Sequence, residues 1–263
     1  MKKELSLALW WWAARWLVHI WVLRYLETNA YEIKEISWTS MWAIVWALYA
    51  CWNNSYEIEN IANELKIYKL IDFWFNFWFI KWKKLQKTLD ELFWNKNIED
   101  LDIDLKIVAT NIENWEREVF TKWKISDAVR ASLSLPWIFM PYEIWNNTYM
   151  DGWIVNNLPV DVLEWENIIW ISALKQKVWK LSKIKKFLWF NTKRSFFEYN
   201  YEVLHRMTLL MMKQNELKSI ENSKWKSLII QPNFWNLDYY SFDKIKEFIK
   251  LWYEETKKAL ASS

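Results

Sequence analysis

Glycine is nearly missing from this chain of 263 residues, which contains one glycine, four prolines, two histidines and one cysteine. At the usual share of about 7%, a chain of this length would carry roughly 18 glycines. The single Cys51 excludes a disulfide framework and a cysteine-based zinc site, and it fits a reducing compartment. With so few histidines and no cysteine cluster, the sequence predicts neither a metal site nor another cofactor.

An excess of charge of either sign is also missing, because 35 basic and 32 acidic residues are interspersed and leave a net charge of +3. This balance excludes a dedicated nucleic-acid binder. The run from Leu5 to Leu23 is mostly apolar but contains Arg15 and His19. We interpret this run as a strand, a loop and a helix, and not as a targeting or membrane-spanning segment. We therefore expect a cytoplasmic protein, and a peripheral contact with the membrane stays open.

Tryptophan is what the sequence has in excess, with 25 residues. Many tryptophans stand where a turn is expected, as in Asn114-Trp115-Glu116 between two predicted strands, Phe93-Trp94-Asn95 and Lys122-Trp123-Lys124. Such turns favour residues with free backbone dihedrals, and Asn-Gly would be typical of the hairpin. Abundant Lys, Asn and Ile indicate AT-rich coding. Our hypothesis is that many of these tryptophans are UGA codons that the source organism reads as glycine.

A nucleophile elbow is predicted between a strand that ends at Ser37 and a helix that begins at Ala43. The segment Trp38-Thr39-Ser40-Met41-Trp42 becomes G-x-S-x-G when both tryptophans are glycine. The serine of this motif occupies a strained turn, and the start of the following helix brings backbone N–H groups near its hydroxyl. The alternative is that Ser40 is an ordinary helix N-cap.

Two other segments also lie at predicted strand ends. The segment Trp10-Trp11-Trp12-Ala13-Ala14-Arg15-Trp16 becomes a glycine-rich loop, whose N–H groups could form an oxyanion hole with added positive charge from Arg15. Asp151 precedes Gly152 and Trp153, and its carboxylate can point into a cleft at the edge of the sheet. Alone, the first segment could be a structural or phosphate-binding loop, and Asp151 a turn or cap residue.

Together with a fourth segment, these pieces resemble the patatin-like phospholipases in order and spacing from residue 5 to about residue 175. The fourth segment contains Arg130-Ala131-Ser132, Pro136 and Phe139, and it is similar to the family's helix-ending signature R-A-S-x-x-x-P-x-x-F. The departures follow one rule, because tryptophan stands at nearly every family glycine whereas Gly152 is retained.

The resemblance implies a single three-layer α/β domain over residues 1–263, with a central, mostly parallel sheet and helices on both faces. Residues 5–175 carry the motifs, and residues 176–263 supply a C-terminal strand and helices. A late helix, Phe196–Lys213, covers a sheet face or an acyl channel. The predicted strands are Leu5–Leu9, a segment ending at Ser37, Leu105–Thr110, a segment near Tyr149, Ile168–Ile171 and Ser227–Ile230.

The resemblance also implies hydrolysis of phospholipid or other fatty-acyl esters through a covalent acyl-enzyme. Ser40 would attack the carbonyl carbon, and Asp151 would accept its proton directly, without an intervening histidine. Loop N–H groups around residues 11–13 would stabilise the oxyanion. The implied site comprises the catalytic pair Ser40 and Asp151, the loop residues Trp10, Trp11, Trp12, Ala13, Ala14, Arg15 and Trp16, the elbow residues Trp38, Thr39, Met41 and Trp42, and Gly152 with Trp153.

Several alternatives stay open. A triad of Ser40, Asp151 and His205 would follow the order used by α/β-hydrolases, although His205 lies in a predicted helix. If the tryptophans are genuine, Trp38 and Trp42 should wedge the strand and the helix apart, and the chain would be a catalytically inactive interaction or membrane-associated module. A thioesterase or a short-chain esterase could use the same dyad.

Two features outside the motifs also have two interpretations each. Arg130 could contact a lipid head group or pair with a carboxylate, and we favour the pairing. The aromatic stretch from Phe73 to Phe79 could be a lid that meets the membrane surface or the acyl chain, and core packing is equally favoured.

Overall fold

The computed structural model describes residues 3–10, 17–40, 43–52, 54–64, 82–136, 139–172, 194–225, 227–230 and 253–260. The strands in these ranges are β1 (Lys3–Trp10), β2 (Tyr31–Thr39), β3 (Asp104–Asn111), β4 (Glu116–Phe120), β5 (Tyr142–Ile144), β6 (Asn147–Asp151), β7 (Ile168–Ser172) and β8 (Ser227–Ile230). The helices are α1 (Leu17–Thr28), α2 (Ala43–Trp52), α3 (Ser55–Glu64), α4 (Trp82–Leu92), α5 (Ile125–Ser132), α6 (Arg194–Glu221) and α7 (253–260). Short 3₁₀ turns lie at Ile98–Asp100, Gly152–Ile154 and Val160–Val162.

The described strands form one sheet in the order β5-β6-β3-β2-β1-β7-β8, and β4 pairs with β3. Strands β1, β2, β3, β7 and β8 pair in parallel, whereas β4, β5 and β6 pair antiparallel. The central strand β3 is buried at every residue after Asp104. Such a continuous buried run is typical of a parallel strand that is covered on both faces.

Helices cover both faces of the sheet. Because side chains alternate along a strand, Leu7 and Ile171 face one core, and Ala8 and Trp170 face the other. The first core includes residues of α1, α2, α4 and α5, whereas the second includes Met212 of α6. The prediction of a three-layer α/β fold with a mostly parallel sheet is therefore confirmed.

The six predicted strands coincide with β1, β2, β3, β6, β7 and β8. The late helix α6 is longer than predicted, since it begins at Arg194 and continues to Glu221. Among the helices that the structure describes, none combines the length and the apolar character that crossing a bilayer requires. The aromatic stretch from Phe73 to Phe79 lies outside the described residues.

Four tryptophans adopt backbone conformations that favour glycine. The φ angles of Trp94, Trp115, Trp123 and Trp145 are 48°, 62°, 120° and 56°. The first three stand in the turns predicted from sequence, whereas Trp145 forms the unpredicted turn between β5 and β6. A side chain with a Cβ atom is strained in this region, at a cost of about 1–2 kcal/mol for each residue in the left-handed conformation. Glycine would adopt these four backbone conformations without the strain that tryptophan has there.

Candidate active site

The site forms where the ends of two strands meet beside β3. Strand β4 pairs with Ile107–Asn111 of β3 and so occupies one edge of that strand. Strands β2 and β6 share the other edge, where Thr39 pairs with Val108 and Asp151 pairs with Ala109. Because β2 runs parallel to β3 and β6 runs antiparallel, their carboxyl ends abut. The residues that follow Thr39 and end β6 are thus brought together.

Gly152 allows this close approach. A Cβ atom built on Gly152 would lie 2.4 Å from the carbonyl oxygen of Val108 and 2.9 Å from Cγ2 of Thr39. No larger residue fits there without a shift of the backbone. The loop after Gly152 is fixed to β2 as well, because Thr39 Oγ1 donates a hydrogen bond of 2.8 Å to the carbonyl oxygen of Asn156.

Ser40 and Asp151 are in direct contact across this junction. Ser40 Oγ donates a hydrogen bond to Asp151 Oδ2 at 2.5 Å, and the backbone N–H of Trp153 donates to Asp151 Oδ1 at 3.0 Å. Ser40 is partly exposed, whereas Asp151 is fully buried. The hydroxyl can therefore be reached from solvent while the carboxylate behind it is shielded from water.

Burial changes the acidity of the carboxylate. Desolvation raises the pKa of Asp151 to about 7, against the opposing effect of the hydrogen bonds from Ser40 and from the backbone of Trp153. A base is most effective when its pKa lies near the working pH. The site thus holds a carboxylate that can take up and return a proton near neutral pH.

The segment around Ser40 has the features of a nucleophile elbow. Ser40 has a φ angle of 73°, a strained conformation for a residue other than glycine, and it lies between the end of β2 and the start of α2. Its carbonyl oxygen accepts a hydrogen bond of 2.9 Å from the N–H of Ala43. Its hydroxyl donates to Asp151, which differs from the capping role that we considered. Met41 and Trp42 lie outside the described residues.

The expectation that Trp38 would separate β2 from α2 is wrong for this structure. Trp38 is fully buried, and its ring centroid lies 5.7 Å from that of Trp46 in α2. The indole packs between strand and helix, and the two elements stay in contact through two aromatic side chains whose ring planes are tilted by 31°.

Other predicted residues are placed only in part. Trp10 ends β1, whose Leu9 pairs with Trp38 of β2, so the loop leaves the sheet beside the elbow. Residues 11–16 of that loop lie outside the described ranges. His205 belongs to α6, as predicted, and its side chain also lies outside them. The structure therefore supplies no contact that supports the triad.

Arg130 is buried, and its side chain is 3% exposed. Its guanidinium donates to Ser134 Oγ at 2.6 Å and to the carbonyl oxygen of Met140 at 3.4 Å. It also lies over the rings of Phe139 and Tyr142. Burial lowers the pKa of Arg130 to about 10, so the group stays charged at neutral pH. These partners are a hydroxyl, a carbonyl oxygen and two aromatic rings, and the pairing with a carboxylate stays a prediction.

Sequence reasoning missed two contacts of Ser40 and Asp151 with residues at and just after the end of helix α5. The N–H of Ser40 donates to Ser132 Oγ at 2.8 Å, and the N–H of Asp151 donates to the carbonyl oxygen of Ser134 at 3.0 Å. Both serines lie in the R-A-S-x-x-x-P segment, which was the available signal. Among the described residues, no group of His, Cys, Asp and Glu side chains has the arrangement that a metal ion requires.

Parts of this chain are similar to known proteins. A family model described as "Patatin-like phospholipase" matches residues 13–164. The chain is 28% identical over 151 residues to an uncharacterized NTE family protein of Mycobacterium bovis, in an alignment that covers 56% of this chain and 42% of the relative. It is 26% identical over 157 residues to Lysophospholipase NTE1 of Saccharomyces cerevisiae, covering 56% of this chain and 9% of the relative. The chain thus spans less than half the length of these two relatives.

A solved structure is similar over nearly the whole chain. The crystal structure of VipD from Legionella pneumophila aligns with 99% of this chain and 67% of that chain, with a TM-score of 0.47 and 15% sequence identity.

Proposed function

We propose that this chain, because it belongs to the patatin-like phospholipase family, hydrolyses fatty-acyl esters with Ser40 as the nucleophile and Asp151 as the base. The observation that carries the proposal is the hydrogen bond of 2.5 Å from Ser40 Oγ to the buried carboxylate of Asp151. The family supports a lipid acyl ester as the substrate, and one relative is named a lysophospholipase.

The proposed reaction has two steps, and in each step Asp151 accepts one proton and returns it. Ser40 Oγ bonds to the ester carbonyl carbon while its proton passes to Asp151, and collapse of the tetrahedral intermediate breaks the bond to the alcohol. The alcohol leaves with the proton from Asp151. Water then attacks the acyl-enzyme, gives a proton to Asp151 and releases the fatty acid, while Ser40 regains its proton. Because its pKa is raised, Asp151 accepts the proton of Ser40, and later that of water, more readily than an ordinary carboxylate would.

The loop of residues 10–16 is our candidate for the oxyanion hole. Support comes from β1, which ends at Trp10 beside the end of β2, so the loop begins next to Ser40. Backbone N–H groups there would stabilise the negative oxygen of the tetrahedral intermediate. Loss of one such donor typically costs about 10²–10³ in turnover.

We infer in addition that the native protein has glycine at many of the tryptophan positions, through UGA codons read as glycine. The four tryptophans with positive φ support this inference. So do Trp52 and Trp153, because their buried Nε1 atoms have no hydrogen-bond partner in the described part of the chain. An unsatisfied buried donor costs about 1–3 kcal/mol.

The decoding is tested on protein isolated from the source organism. We expect peptide sequencing by mass spectrometry to find glycine at positions 94, 115, 123 and 145, and the intact mass to fall below that of the written sequence. Tryptophan at all four positions would contradict the inference. By native full chain we mean these 263 residues with the amino acids that this measurement finds.

The hydrolase is tested by labelling the native full chain with a fluorophosphonate that carries a fatty alkyl chain. We expect one labelled residue, Ser40, and no labelling of Ser40→Ala. Ser126→Ala is the matched control, because Ser126 is a buried serine whose hydroxyl donates to Asp90 and not to the dyad. Labelling that persists in Ser40→Ala would refute the proposal.

The same preparation separates the remaining alternatives. A failure to label, in a chain shown to contain tryptophan at positions 38 and 42, would favour the inactive module. With labelling established, rates for acyl esters and thioesters of increasing chain length separate a lipase from a short-chain esterase or a thioesterase.

A further inference from the structure

The end of helix α5 contacts the backbone of both residues of the dyad. Ser132 Oγ accepts a hydrogen bond of 2.8 Å from the N–H of Ser40 and donates one of 2.7 Å to the carbonyl oxygen of Val108. Ser132 is fully buried. Since Thr39 pairs with Val108, the hydroxyl of Ser132 joins the strained residue to the strand on which the site is built.

The other residue of the dyad is held two residues further along. The carbonyl oxygen of Ser134 accepts a hydrogen bond of 3.0 Å from the N–H of Asp151. The hydroxyl of Ser134 accepts from Arg130 Nη1 at 2.6 Å and donates to the carbonyl oxygen of Arg130 at 2.9 Å. Arg130 therefore holds Ser134 in place, and Ser134 in turn holds the backbone of Asp151.

These contacts matter because the backbone conformation of Ser40 is strained. A residue with a side chain and a φ of 73° persists only when its surroundings hold it there. Ser40 follows β2 and Asp151 ends β6, so their contact depends on a common support. A displacement of about 1 Å in a reacting group can cost about 10²-fold in rate.

We infer that Arg130, Ser132 and Ser134, here called the brace, are positioning residues that hold the nucleophile and the base at reacting distance. This inference rests on the proposed function. Ser132 is the central member, since its hydroxyl bonds the N–H of Ser40. That N–H is thereby occupied and is not an oxyanion donor, which leaves this role to other N–H groups near the nucleophile.

The test uses Ser132→Ala, Ser132→Thr and Ser126→Ala in the native full chain. Ser126 lies on the same helix and is equally buried, but its hydroxyl donates to Asp90. We expect Ser132→Ala to reduce both kcat and the fluorophosphonate labelling rate about 10–100-fold, with KM nearly unchanged. Ser132→Thr keeps the hydroxyl and should retain most of the activity. Ser126→Ala should lose stability without losing kcat.

The pH profile separates positioning from a merely structural role. The hydrogen bond from Ser40 lowers the pKa of Asp151, so loss of that contact in Ser132→Ala should move the rising limb of kcat/KM to higher pH. Equal loss of kcat in Ser132→Ala and Ser126→Ala, or full activity of Ser132→Ala, would overturn the brace while leaving the hydrolase standing.

A crystal structure of Ser132→Ala gives a readout that does not require activity. We expect the separation of Ser40 Oγ and Asp151 Oδ2 to increase from 2.5 Å beyond hydrogen-bond distance. An unchanged contact would overturn the brace. If the unsubstituted chain fails to label at Ser40, the proposed hydrolase fails instead, and this separation still decides whether the brace exists.

Discussion

Replacement of Asp151 by Asn is expected to lower kcat by about 10²–10⁴-fold, the contribution typical of a positioned proton acceptor. The amide has nearly the shape of the carboxylate, and its oxygen can still accept the hydrogen bond from the N–H of Trp153. It cannot take the proton of Ser40. Steady-state kinetics on an ester substrate should therefore show the loss in kcat, with a small change in KM. Activity within a few-fold of the parent would contradict the role of Asp151.

The pH profile of the parent follows from the same carboxylate. Asp151 acts as a base only when ionised, and burial raises its pKa to about 7. We expect kcat/KM to rise with pH up to about 7 and then to level off. In Asp151→Asn the remaining activity should lack this limb. If kcat/KM of the parent instead rises near pH 4, the ordinary range of an aspartate, the carboxylate is solvated in the working enzyme.

Asp151→Asn should also stabilise the protein above neutral pH. A carboxyl group whose pKa is higher in the folded than in the unfolded chain stabilises the fold below the unfolded pKa, and this contribution is lost as pH rises through about 7. A rise of about three pKa units corresponds to about 4 kcal/mol, which structural relaxation reduces. We expect Asp151→Asn to gain about 2–4 kcal/mol in unfolding free energy at pH 8 and little at pH 4.

Asp90→Asn is the matched comparison for this stability effect. Despite an opposing effect of burial, hydrogen bonds from Lys124 and Ser126 lower the pKa of Asp90, so its ionised form stabilises the fold at pH 8. Loss of that charge should destabilise the protein. Urea unfolding at several pH values measures both variants. Destabilisation by both replacements at pH 8 would show that the pKa of Asp151 is not raised.

The sequence could predict the parts of this site because each part has a local signature. Ser40 stands between a predicted strand and an apolar helix, and Asp151 precedes the one glycine that the chain retains. Their meeting depends on long-range pairing, which has no local signature. The antiparallel direction of β6, and its position end to end with β2, follow from the pairing of both strands with β3 across tens of residues of chain.

Other features were missed for equally physical reasons. Strand β5 has three residues, too few for an alternating pattern, so the turn at Trp145 had no predicted strand before it. The R-A-S-x-x-x-P segment contains Ser132 but does not indicate its role, because a buried serine near a helix end usually bonds its own helix. Helix α6 continues beyond its predicted end at Lys213. In this extension Asn215 donates a hydrogen bond to the carbonyl oxygen of Ile154, and Ser219 donates one to Asp161, contacts that no local pattern indicates.

Replacement of Ser40 by Gly and by Ala should abolish catalysis equally but affect stability differently. Either variant lacks the nucleophile, so we expect kcat to fall by about 10⁶-fold. Both also lose the hydrogen bond to Asp151. Only glycine relieves the strain of a φ angle of 73°. That relief is about 1–2 kcal/mol, and the greater freedom of glycine in the unfolded chain offsets about 0.5–1 kcal/mol of it.

Ser40→Gly should therefore exceed Ser40→Ala in unfolding free energy by about 0.5–1 kcal/mol, measured by urea unfolding at one pH. The two variants serve as controls for each other, since they differ only in the methyl group at the strained position. Equal stabilities would mean that the backbone relaxes when the serine hydroxyl is removed. A higher stability of the glycine variant would show that the folded chain holds position 40 in a strained backbone conformation.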